Sequence, residues 1–188
     1  MNSERTTLFV IGAKLSNCTE NFVSSLPKGM SLVHVGTDPE ELKQFSSGRK
    51  LIVNGGIRDF YTDDSVLFVN QKEFDNLLLA IEYFLKDQKA MICLFATGDP
   101  LSLAITPMLA RVSDEKDIDA SFLGVKTEEE DRRITEETLN YFLKNRYRLY
   151  LLEREDGDFS LQANEEKIND TSFKSVINLV VKSFKQAE

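Results

Sequence analysis

Residues 91–96, Met-Ile-Cys-Leu-Phe-Ala, are apolar without a break, and the chain then reads Thr97-Gly98-Asp99-Pro100 before a second apolar stretch. A strand that is apolar at every position has no face to offer water, so it belongs inside a sheet covered on both sides. Gly98 turns the chain. Asp99 is a good helix N-cap, and Pro100 fits the first helical position, where a missing N–H costs nothing. A buried strand, a tight turn and a helix start make up a unit of a parallel α/β sheet. That is also where such sheets hold phosphate, because the helix N-terminus attracts anions. Here the chain puts a carboxylate of its own in that place.

The same alternation runs along the whole chain. Apolar runs predict strands over 7–13, 30–35, 50–54, 118–125 and 147–152, with a short extended piece at 159–161. Helical spacing of apolar residues predicts helices over 71–86 and from Pro100 to about 112. Further helices are predicted up to about 144 and from Asp170 or Thr171 onward. Asn17-Cys-Thr-Glu20 has capping-box-like spacing, so a helix is expected from Asn17 to the stop at Pro27 and Gly29, with residues 13–17 as a loop. Asp38-Pro39 predicts the cap of a short helix through Phe45. Residues 55–65 after Gly55-Gly56 are irregular, and 66–69 read as a short extended piece. Strands alternating with helices imply right-handed crossovers. The expected fold class is therefore α/β: three layers, doubly wound, a mainly parallel sheet with helices on both faces.

Composition narrows the function classes. A net charge of −8 opposes nucleic acid as a partner, since that binding draws on clustered Lys and Arg. No stretch approaches the ~18 apolar residues of a membrane span, and no signal-peptide pattern opens the chain, so a cytoplasmic protein is expected. Cys18 and Cys93 lack metal-ligand spacing and read as buried thiols, and with His34 as the one histidine no metal site is expected. His34 lies within a strand pattern and reads as a core residue. The acids at 128–131 beside Arg132-Arg133 read as a solvated helix start.

The order of motifs resembles the nucleotide-binding domain of the FtsZ/tubulin superfamily. Phe9-Val-Ile-Gly12 fits that family's first strand ending in Gly, and Val35-Gly-Thr37-Asp38 fits its Thr-Asp turn. Gly98-Asp-Pro-Leu-Ser-Leu-Ala104 stands where the family carries G-G-G-T-G-[ST]-G, and Pro107-Met-Leu-Ala110 continues as the family's helix does. Phe122-Leu-Gly-Val125, followed by acids and two arginines, resembles the next family strand. The strand at 147–152 and the helix opening at Ser172-Phe173 resemble the base-binding end and the central helix. By this resemblance Gly12, Asn17, Gly98, Asp99, Ser102, Phe173 and Asn178 are remnant nucleotide-binding positions. By periodicity alone Phe173 is core and Asp99 is a cap.

The departures fall on the phosphate loops. Backbone N–H groups approach phosphate oxygens closely only where no side chain obstructs them. The signature loop here keeps Gly98 alone, adds a carboxylate and gains a proline with no N–H. Residues 13–17 have lost their glycines, the stretch after Gly56 lacks a third glycine loop, and Glu153-Arg154-Glu155 stands where the family uses Asn-Asp. Residues 1–188 are expected to form one domain ending in the central helix, without the catalytic acidic loop or a second domain.

The resulting expectation is a non-catalytic protein without a bound cofactor or a catalytic residue, acting through itself or an FtsZ-like filament protein. The alternative is a nucleotide-binding enzyme, with GTP as the ligand of the family. It would use the crevice at the strand C-termini, with Gly12, Lys14, Gly98 and Asp99 around the nucleotide. A third reading is an α/β adaptor unrelated to tubulin, which the sheet order and the course of the last helix would separate.

Overall fold

The computed structural model describes residues 5–53, 71–126, 131–155, 158–163 and 171–186. Its strands are β1 (Thr6–Ile11), β2 (Met30–Gly36), β3 (Arg49–Ile52), β4 (Ala90–Ala96), β5 (Asp119–Val125), β6 (Leu149–Glu155) and β7 (Asp158–Ala163). They form one sheet in the order β3-β2-β1-β4-β5-β6-β7. Every pair is parallel except β6 with β7. The helices are α1 (Ala13–Glu20), α2 (Pro39–Lys43), α3 (Gln71–Leu85), α4 (Pro100–Glu115), α5 (Arg132–Asn145) and α6 (Thr171–Gln186).

Alternation along each strand sorts its side chains between two cores. Phe9, Val33, Cys93, Phe95 and Phe122 face α3, α4 and α5, where they meet Ile81, Ile105, Leu109 and Phe142. Leu8, Val10, Leu94, Leu123 and Tyr150 face α1 and α6, where they meet Leu15, Phe173, Val176 and Val180. The apolar run at 91–96 is thus filled on both sides, which is why it could not alternate with polar residues. Three aspartates cap helices by accepting backbone N–H bonds: Asp38 from Glu40 (2.8 Å), Asp99 from Leu101 (3.1 Å) and Asp131 from Arg133 (3.0 Å). Each cap is worth about 1 kcal/mol.

The order β3-β2-β1-β4-β5 puts the reversal of winding between β1 and β4. The chain leaves β1 for α1 on one face and leaves β4 for α4 on the other. Helix α6 spans its face from β6, where Phe173 packs on Tyr150 at 4.7 Å between ring centroids, to α1. There Ser183 Oγ donates to Cys18 O at 3.1 Å.

Several elements differ from expectation. Residues 13–17 are not a loop, because α1 starts immediately after Gly12, and Asn17 is an exposed residue inside that helix rather than its cap. The helix does not reach Pro27. It ends at Glu20, followed by a 3-10 turn at Val23–Ser25. Helix α4 runs on to Glu115 although Pro107 lies within it, and β6 starts at Leu149 rather than Tyr147. The extended piece at 159–161 is part of β7. Gly55-Gly56, the irregular stretch to 65, the piece at 66–69, the acids at 128–130 and Asp170 lie outside the described residues, as do the side chains of Arg154 and Glu155.

Candidate functional site at the sheet switch point

Gly12 ends β1 with φ 89° and ψ 150°, a backbone region essentially confined to glycine. Its N–H donates to Val35 O at 2.9 Å, and its carbonyl accepts the first bond of α1 from Ser16 N at 3.0 Å. The sharp turn at Gly12 lets α1 begin at once. No side chain caps α1, and no acid stands in its first turn.

Across the crevice, Asp99 fills the corresponding corner of β4 and α4. Its Oδ1 accepts the Leu101 N–H at 3.1 Å, and its Oδ2 accepts the hydroxyl of fully buried Ser102 at 3.3 Å. A Cβ placed on Gly12 would lie 3.3 Å from that same Oδ2. The carboxylate of Asp99 therefore sits against the turn that opens α1 while capping α4. Burial pushes its carboxyl above the ordinary carboxylate range, outweighing the bonds from Leu101 and Ser102 that pull it down. Thr97 braces the other flank. A Cβ on Gly124 of β5 would come within 2.8 Å of Thr97 Cγ2, so that glycine makes room for the β4 corner.

Of the seven remnant positions, Gly12, Gly98, Asp99 and Ser102 converge on this corner. Asn17 and Asn178 are exposed on α1 and α6, and Phe173 is 1% exposed in the core under Tyr150. Lys14 is exposed one residue into α1. Thr97 was not singled out by the sequence, because only the packing against Gly124 shows its role.

A second polar cluster was not legible either. Glu20, at the end of α1, accepts Ser46 Oγ (2.8 Å), the N–H groups of Ser46 and Ser47 (3.3 Å each) and the Ser47 hydroxyl. Beneath it His34 is 0% exposed, stacked on Phe45 at 4.8 Å, with Nε2 3.5 Å from Glu20 Oε1. Neither ring nitrogen meets a partner at good hydrogen-bond geometry, and the Glu20 carboxylate at that 3.5 Å is a weak contact. Burial, helped by the Lys50 charge, pushes the imidazole down to about 4, so it is neutral near pH 7. Because the Ser47 hydroxyl donates to Glu20 and not to His34, the cluster forms no serine–histidine relay. It fastens the end of α1 to the turn before β3.

Cys18 and Cys93 are free and buried, and burial pushes both thiols up. Among the described residues no three His, Cys, Asp or Glu side chains converge as metal ligands. No helix among them is long and apolar enough to cross a membrane.

No family model and no curated protein sequence matches the chain. Solved structures do. TubZ of Clostridium botulinum phage c-st superimposes with a TM-score of 0.62 at 14% identity, covering 81% of this chain and 54% of that one. FtsZ of M. jannaschii superimposes with 0.60 at 16% identity, covering 97% and 55%. A protofilament of TubZ from bacteriophage PhiKZ superimposes with 0.55 at 13% identity, covering 97% and 56%. The chain spans about half the length of these structures. The sheet order and the course of α6 agree with these superpositions. The chain has a divergent form of the FtsZ/tubulin α/β fold.

Proposed function

We propose that this chain is a non-catalytic member of the FtsZ/tubulin-like group that works by association, either with itself or with an FtsZ-like filament protein. The observation that carries this reading is the place of Asp99. At a sheet switch point a phosphate would use the N–H groups at the starts of two helices. Here one start is capped by Asp99, carries Pro100 without an N–H, and has its carboxylate lodged against Gly12. A second negative group at that spot meets repulsion and finds a donor already used. That a TubZ relative forms a protofilament supports association as the mode of action.

The competing reading, a nucleotide-binding enzyme that takes GTP in the same crevice, draws on the uncapped start of α1 and the glycine-only backbone at Gly12. Steady-state phosphate release from GTP with Mg²⁺ separates the two. The association reading expects a rate equal to buffer. A rate above buffer that is lost in Asp99→Ala or Ser102→Ala would establish the enzyme instead.

A further inference from the structure

His34 lies in β2, in register with Val10 of β1 on one side and Lys50 of β3 on the other. Two residues on from Leu32, it faces α1. Phe45 stacks on its ring at 4.8 Å. A Cβ on Gly48, whose φ is 70°, would come 3.2 Å from the His34 Cδ2, so the turn at 45–48 is closed over the ring. A phenylalanine would fill this place with the same stacking and leave no nitrogen unmatched. What the imidazole adds is a site for a proton.

That proton would compete for an acceptor already in use. An ionised carboxylate offers about four lone-pair positions. Glu20 receives the N–H groups and the hydroxyls of Ser46 and Ser47, two donors on each oxygen. Its contact with His34 Nε2, at 3.5 Å, is too long to be a further strong bond. We propose that His34, Glu20 and the 45–48 turn form a proton-operated latch: a neutral ring leaves Glu20 to hold the turn against α1, and a protonated ring draws that carboxylate away and lets the turn open. The charged groups acting on the ring are Lys50 from β3, which opposes the proton, and Glu20 from α1, which favours it, as does the Ser47 main chain. Lys50 Nζ donates to Ser47 O (2.6 Å) and Gly48 O (2.9 Å), so this cation is tied to the turn and moves off the ring with it. Burial, the largest influence on the ring, is relieved by the same opening. Against burial, the bonds from Ser47 and Ser46 hold the Glu20 carboxyl below the ordinary range, so the clamp itself stays ionised while the ring is tested. The latch holds the far end of the helix that begins at Gly12, and it does not depend on whether a nucleotide binds there.

Amide hydrogen exchange of the whole chain, corrected for the intrinsic rate at each pH, reads the opening at Ser46 and Ser47. The closed latch depresses the ring's affinity for a proton, so closure is complete above the ordinary histidine value of about 6.5 and weakens as pH falls. Protection of these two amides should be constant above about pH 6.5 and drop about tenfold per pH unit below it, about 100-fold by pH 4.5. Because the opening is local, they should stay less protected than the amides of β4 and respond little to dilute urea, which acts fully on global unfolding. His34→Phe should keep the turn closed and abolish the pH dependence. Protection that is flat across the window in the wild-type protein overturns the proposal. So does a slope that survives His34→Phe, or exchange of Ser46 and Ser47 only together with β4. A GTPase rate above buffer would end the non-catalytic reading and leave the latch standing, whereas a flat exchange profile would leave the reading of Asp99 intact.

Discussion

Replacing Asp99 separates a buried, capping carboxylate from a vacant binding corner. Asp99→Ala removes the acceptor of the Leu101 N–H, a cap worth about 1 kcal/mol. It also strips the acceptor from the Ser102 hydroxyl, which is 0% exposed, at a further cost of about 1–3 kcal/mol. The sum, about 2–4 kcal/mol, lowers Tm by roughly 4–16 °C in a chain of this length. Asp99→Asn keeps an oxygen acceptor and sheds a charge that burial opposes, so at pH 7 it stays within about 1 kcal/mol of wild type. The pH dependence carries a sign. Because the folded carboxyl is raised, the folded state binds its proton more tightly than the unfolded chain does. Wild-type stability relative to Asp99→Asn is then highest below the unfolded carboxyl value of about 4, and it declines as pH rises through the folded value. Urea unfolding of the three proteins at several pH values between 4 and 7 measures this. If Asn damages the protein as much as Ala, or the wild-type-to-Asn difference is flat across that window, Asp99 is not the buried cap described.

Gly12→Ala forces a side chain into a glycine-only backbone region and against Asp99 Oδ2, and should cost about 1–3 kcal/mol in thermal or urea unfolding. His34 is the single histidine, so one imidazole C–H resonance reports it alone, and its midpoint should lie near 4 rather than 6.5. With the folded value depressed, stability should be full above about pH 6.5 and fall between there and about 4. His34→Phe, stacked on Phe45, should remove that fall. Phe142, fully buried against Phe95 and Phe122, anchors α5, and Phe142→Ala should cost about 3–5 kcal/mol.

What the sequence made legible was local. The apolar run at 91–96, the Asp99-Pro100 and Asp38-Pro39 caps and the alternation of elements each follow from a few neighbouring residues, and together they specified the sheet class. Residues 13–17 misled for a physical reason. Asn17-x-x-Glu20 has the spacing of a capping box, yet the glycine-only turn at Gly12 starts α1 four residues earlier. Glu20 is then free to reach the turn at Ser46-Ser47, 26 residues away. The register of β6 against β7 depends on pairing partners that no single strand reveals. At the candidate site, Gly98, Asp99 and Ser102 could be read as one turn. The approach of Asp99 to Gly12 could not, because it joins residues far apart in the chain.

The most direct test of the central claim is the thermal midpoint of the wild-type protein titrated with GTP and Mg²⁺. If, as proposed, the Asp99 carboxylate takes the place of a phosphate, the midpoint should not move at any nucleotide concentration. A rise that saturates, reaching the ~2.7 kcal/mol of stabilisation expected at ~100 times a dissociation constant, would contradict the account.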